Sequence, residues 1–293
     1  MSHARAAALM VAAALLWSSA GVVARLLERA QSFEVAFWRS FFAAVSMAGI
    51  LAFMHRGKAW TVVRASGWPG VLSGLMFCIM FTCFMIALTR TTVANALVVN
   101  SLYPVFAALL SAAVLGTRLH GYTWVAIAAA AGGMAYMFAS GLGDGLSGTL
   151  IAFAIPLAGA VNVVTLRKWG RNVDLLPAVL LGAAFSALLM LPFALPLQAS
   201  AHDIAWLAAL GMFQLALPCM LLVMASRYLP PAEVALLTLL EVVLGTLWAW
   251  LGVGETPGAA TLVGGAIVLL AIAGNEAIAL FGPTRLRRLR TAA

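Results

Sequence analysis

Two charged side chains stand well inside long apolar stretches, away from their ends: Arg39 within residues 33–54 and Glu241 within residues 231–252. On insertion scales a charge at the centre of a membrane helix costs roughly 2.5–3.5 kcal/mol, so such groups face a cavity or a partner. Arg39 could pair with Glu34, with Glu241 or with a carboxylate on a bound solute. It could also snorkel to headgroups, which a long arginine can do. Glu241 could line a cavity, couple a proton to solute movement, or bond a neighbouring helix.

Other polar groups lie near these two. Sliding residues 87–135 onto 225–273 without a gap pairs Ala87 with Ala225, Ala94 with Ala232 and Leu102 with Leu240. It also pairs Leu109 with Leu247, Gly116 with Gly254 and Thr123 with Thr261. Glu241 then corresponds to Tyr103, and Thr238 to Asn100. Each pair has i,i+3 spacing and shares one helix face, so these four side chains are expected to line a cavity near the midplane. Asn162 and Gln214 could hold the amino or carboxyl end of a solute, or bond neighbouring helices. Trp17 offers a flat apolar face and one donor, with Ser18 beside it; ordinary packing is the competing role among nine tryptophans. Phe81, grouped with Met76, Phe77, Met80, Phe84 and Met85, suits an adaptable apolar wall, or plain core.

Long apolar helices must position these residues. Apolar types make up 64% of the 293 residues and charged types 9%, against roughly 45–50% and about 25% in soluble domains. A water-facing surface cannot be built from such a chain. A span needs about 20 apolar residues, and candidates fall near 6–25, 33–54, 67–88, 91–114, 121–140, 147–166, 175–196, 204–225, 231–252 and 258–281. Met1–Ala20 has the look of a signal peptide, but more spans follow, so it is expected to stay as the first helix. Cys78, Cys83 and Cys219 lie in apolar runs without a CxxC and are expected to be small core residues. Gly70 with Gly74, Gly132-Gly133 and Gly264-Gly265 predict close helix approach.

The net charge of +8 does not point to nucleic acid, because the basic residues sit between apolar blocks as topology signals. With the N-terminus placed in the cytoplasm, Arg5, Arg56, Lys58, Arg64, Arg118, Arg167, Lys168, Arg171, Arg227, Arg285, Arg287, Arg288 and Arg290 fall inside. Only Arg25, Arg29 and Arg90 fall outside, a 13 to 3 split that places both termini in the cytoplasm. Asp144, Asp203 and Glu255 fall on the outer side. Five spans per half is an odd number, so the second half enters from the opposite side. The expected fold is an all-α polytopic membrane protein of ten transmembrane helices, built as two inverted five-helix repeats, 1–142 and 143–293, around a central cavity.

Several chemistries are excluded. Gly57-Lys58 is followed by Ala59 and lacks the upstream glycine of a phosphate-binding loop. His3, His55, His120 and His202, like Asp144, Asp174 and Asp203, fall in or beside loops, and no HExxH or GxSxG occurs. No cofactor, metal or catalytic group is expected.

The run Leu16-Trp17-Ser18, with Arg25 and then Arg39, resembles the opening of the EamA family of the drug/metabolite transporter superfamily. Ala87-Leu88, Ala94, Ala96 and Pro104, ending at Gly116, resemble its third-to-fourth helix signature. Ala232, Ala235 and Gly254-Glu255 form a second copy, and the likeness spans the chain. Gly116-Thr117 lacks the glutamate that usually closes the signature. Val242 replaces the fourth-helix proline, so the halves are not expected to bend alike. Within the family the sequence is most similar to amino-acid exporters of the YddG type. That resemblance implies spans one to four and six to nine around the cavity, with five and ten outside. It implies export of amino acids, aromatic ones included, across a bacterial inner membrane by alternating access. The expected partners are the cargo and the lipid bilayer, and a monomer is one arrangement the sequence allows. Another cargo (a nucleotide sugar, drug or lipid-linked group) and an intramembrane enzyme are the competing readings.

Overall fold

In hydrocarbon every backbone N–H and C=O must find its partner inside the chain, and a helix achieves this within one segment. The computed structural model describes residues 1–116, 119–139, 145–169, 176–226, 228–229 and 231–281, and these residues contain helices and no strand. Arg118, Asp144, Arg171, Asp174, Arg227, Arg285, Arg287, Arg288 and Arg290 lie outside the described residues.

The first half comprises α1 (His3–Ser18) and α2 (Ala20–Arg25), α3 (Ser32–Met54), the short α4 (Ala59–Ala65), α5 (Gly67–Leu88), α6 (Val93–Asn100) with α7 (Tyr103–Leu115), and α8 (Gly121–Ala139). The second comprises α9 (Leu146–Ala152) with α10 (Ala154–Trp169), α11 (Leu176–Ala194), α12 (Ala201–Ala209) leading through a π-helical segment (Leu210–Ala216) into α13 (Leu217–Ser226), α14 (Pro231–Val253), and α15 (Ala259–Phe281). Eight of these runs are long and apolar enough to cross a membrane among the described residues. α14 holds a shorter apolar stretch, Leu237–Val253.

The packing exchanges equivalent partners between halves. α1 packs on α14 and α13, and its counterpart α10 packs on α7 and α5. α3 packs on the π segment as α11 packs on α5, while α3 meets α11 and α8 meets α15 directly. This is the pattern of a two-fold relation between the halves. Gly116 and Gly254, paired by the sequence offset, both adopt left-handed backbone at a helix end, with φ of 66° and 69°; glycine takes that conformation without a Cβ clash. The expected difference in bending is also present. The fourth run breaks at Ser101-Leu102, ahead of Pro104, whereas α14 is continuous.

α8 and α15 cross where Gly133 faces Gly264. A Cβ on Gly133 would lie 2.7 Å from the Gly264 carbonyl, and one on Gly264 would lie 2.6 Å from the Gly133 carbonyl. Their other faces leave Val125, Leu262 and Leu270 exposed, as lipid contact requires. Gly74 meets α11 at Gly182, whereas the nearest atoms to Gly70 belong to Ser66, one turn away. Overpacking of this kind costs about 1–3 kcal/mol. Gly264→Leu is therefore expected to lower the melting temperature of the detergent-purified protein by several degrees, whereas Gly274→Ala, with open space around it, leaves it unchanged.

Candidate functional site

Among the described residues the largest buried side chain is Arg39, two turns into α3 and 2% exposed. Its Nε and Nη2 both donate to Gln214 Oε1, at 2.9 and 2.8 Å. Gln214 Nε2 in turn donates to the Trp17 carbonyl at 3.3 Å. Two departures from regular helix make this triangle. α1 ends at Ser18, where Ser18 and Ser19 hydroxyls bond back to the Leu15 and Leu16 carbonyls, a pattern that bends helices. Gln214 stands on the π-helical segment, and such segments occur often at functional sites. The Arg39 guanidinium also lies 5.9 Å from the Phe84 ring centroid. Its Nη1 is buried and has no hydrogen-bond partner among the described residues.

The other expected site residues gather around this triangle to different degrees. Glu241 is buried and, with Cys219, lies close enough to Arg39 to interact with it electrostatically. Trp17 packs into the same apolar cluster as Phe81, Phe77, Met80 and Cys219. Phe81 and Phe77 stack with centroids 5.4 Å apart. Ser18 is buried and accepts from Trp248 Nε1 at 3.1 Å. The Tyr103 ring lies against Gly159 of α10, near Met80. Asn100 and Thr238 are half-buried on α6 and α14. Asn162 is engaged between helices, its Oδ1 accepting from Ser73 Oγ at 2.6 Å. Glu34 is not the partner of Arg39. Its carboxylate accepts from the backbone N–H groups of Gln198 and Ala199 and from Trp38 Nε1.

Features that the sequence did not announce cluster at the Arg25 end of the bundle. Arg25 Nε pairs with Glu255 Oε2 at 2.9 Å, while its Nη1 and Nη2 cap the Leu88 and Thr91 carbonyls. Glu255 Oε1 accepts from Val93 N–H at the start of α6. One ion pair thus joins the halves and satisfies the ends of two helices. Asp203, fully buried, accepts from the N–H groups of Glu28, Arg29, Ala30 and Ser200. Beside these lies an open recess of about 680 Å³, lined by Arg25, Arg90, Thr91, Asn95, Ser147 and Glu255 among others. None of the ten expected site residues lines it.

The EamA-like transporter family model matches residues 4–139 and 146–275. The chain belongs to the EamA-like transporter family. It is accordingly a multi-pass membrane transporter of small molecules, of the drug/metabolite transporter superfamily. A solved crystal structure is similar in fold, with a TM-score of 0.67 and 24% identity over 97% of this chain and 99% of that one. No curated protein matches the chain.

In this transporter the Asp203 carboxylate carries four backbone donors, each costing about 1–3 kcal/mol if left unsatisfied. Asp203→Ala is expected to lower the thermal midpoint of the purified protein far more than Arg29→Ala, which leaves the Arg29 N–H in place.

Proposed function

We propose that this EamA-like transporter is a secondary exporter of amino acids, aromatic ones included, and of related small metabolites. Ten spans in two inverted halves, 1–142 and 143–293, rock about a site between them in a bacterial inner membrane, with both termini in the cytoplasm. The observation that carries this reading is the buried Arg39 with its open Nη1, held between α1, α3 and the π segment. A guanidinium matches a carboxylate in charge and geometry. Glu241, within electrostatic range of it, supplies the opposite charge for a cargo ammonium group. Trp17, Phe77, Phe81 and Met80 provide an apolar surface that tolerates many side chains, since one methylene in such a pocket is worth only about 1–3 kcal/mol. Asn100, Tyr103 and Thr238 complete the lining in this proposal, with Ser18, Asn162 and Gln214 behind it. The purified chain acts alone or with a like copy, and needs no cofactor.

Counterflow in proteoliposomes tests the function. Liposomes loaded with an unlabelled aromatic amino acid are expected to accumulate the labelled one. Accumulation driven only by other cargo classes would assign a different substrate. Arg39→Lys keeps the charge but loses the planar fork, so counterflow is expected to fall about ten-fold or more. Glu241→Gln is expected to alter the pH profile of exchange; an unchanged profile would remove Glu241 from any proton coupling.

A further inference from the structure

Three of the five Arg39 N–H bonds are left over once Gln214 has taken its two: both on Nη1 and one on Nη2. One N–H on Nη1 and the remaining one on Nη2 share the edge of the guanidinium fork away from Nε, an edge on which a carboxylate can dock with two parallel bonds; the third, also on Nη1, points back toward Cδ. Burial removes water as their partner, and a buried charge with open donors is costly. Gln214 decides which edge is left open.

Three observations fix Gln214 itself. It is 3% exposed. Its Nε2 is tied to the Trp17 carbonyl, which aims Oε1 at Arg39. The π segment that carries it packs backbone to backbone on α3 at the level of Arg39. A Cβ on Gly211 would lie 2.6 Å from the Arg39 carbonyl and 2.7 Å from Phe42 Cβ. Gly211 and Gln214 both meet Arg39, so the close approach and the hydrogen bonds lie on the same side of the segment. An amide is suited to this place. It accepts two N–H bonds without cancelling the arginine's charge, which a carboxylate here would do.

We propose that Gln214 is a positioning residue for Arg39: it grips Nε and Nη2 so that Nη1 stays open as the donor that selects cargo bearing a carboxylate. This rests on the reading of the chain as a carrier of such cargo. It moves Gln214 from the surface that touches solute to the support behind Arg39.

The test uses the full chain in proteoliposomes, with L-phenylalanine as the exchanged cargo. Phenethylamine, the same side chain without the carboxylate, is the competitor. In the wild type, phenylalanine is expected to compete about ten-fold better than phenethylamine. In Gln214→Leu the KM for phenylalanine should rise about ten-fold with Vmax within about two-fold, while inhibition by phenethylamine stays where it was. Gln214→Glu, which keeps the shape and neutralises Arg39, should lose the same preference. It serves as the second variant if Gln214→Leu does not elute as a folded species. A merely structural Gln214 would lower Vmax for all cargo without touching the preference, and that result overturns the proposal. So does a Gln214→Leu variant that keeps both KM and preference. Wild-type liposomes that exchange phenylalanine with no preference over phenethylamine overturn the carboxylate assignment. Liposomes that exchange no phenylalanine at all sink the carrier reading, and the role of Gln214 with it.

Discussion

The cost of holding a guanidinium inside an apolar bundle shapes the centre of this transporter. Arginine keeps its charge at physiological pH, and α3 carries it two turns into the bundle, so the neighbouring elements must supply acceptors. An unbroken helix has few to offer, because its carbonyls are consumed by its own i→i−4 ladder. The chain departs from regular helix at two places beside Arg39. The break at Ser19 places the Trp17 carbonyl at a helix end, and the π segment carries the Gln214 amide between that carbonyl and the guanidinium. Straightening the π segment would pull the Gln214 acceptor from a buried charge, a loss larger than the few tenths of a kcal/mol that separate helix propensities, and straightening the chain at Ser19 would free the Gln214 amide from the Trp17 carbonyl.

The carboxylates at the Arg25 end show the opposite arrangement. Glu34, Asp203 and Glu255 spend their oxygens on backbone N–H groups and, for Glu255, on Arg25. These acids are occupied by loops and helix ends, which leaves them little capacity for solute. Their work is to tie the 26–31 loop, the 195–200 loop and the α5–α6 junction into one cap. The helix break at Ser19 and the π segment instead carry the polar groups that meet at Arg39.

Much of this was legible from local pattern. The apolar runs predicted the helical stretches within a few residues, because hydrocarbon thickness sets their length. The pairing of Gly116 with Gly254 was readable because a left-handed helix end has a strong residue preference. The missing proline at Val242 foretold the continuous α14. Arg39 and Glu241 stood out because charge is rare at depth. What escaped was decided through space. Nothing in Leu210–Ala216 announces a π segment, since its leucines, Met212, Gln214 and Ala216 favour ordinary α-helix and Gly211 gains its role only from the close approach to α3. Asp203 looked like a loop acid because its four donors come mostly from residues 28–30, far away in sequence. Glu34 looked like a partner for Arg39 because the two are close in sequence, but an i,i+5 separation places them on different sides of α3.

The halves agree in packing and differ in chemistry, and the difference has a consequence for the proposed cycle. Arg39 belongs to the first half, whereas Gln214, Cys219 and Glu241 belong to the second. Their sequence equivalents carry no matching charges: Tyr103 stands for Glu241, and the fourth run of the first half is broken where α14 is continuous. The hydrogen bonds that hold Arg39 and Gln214 at the centre therefore cross the interface between halves instead of stabilising one half internally. Interactions placed across a moving interface change with its opening, and those within a half do not. In the proposed cycle, a cargo bridging Arg39 and Glu241 would add contacts to the same interface, so its binding energy would favour one arrangement of the halves over the other. Two identical halves with no charge at the seam would offer cargo no such leverage.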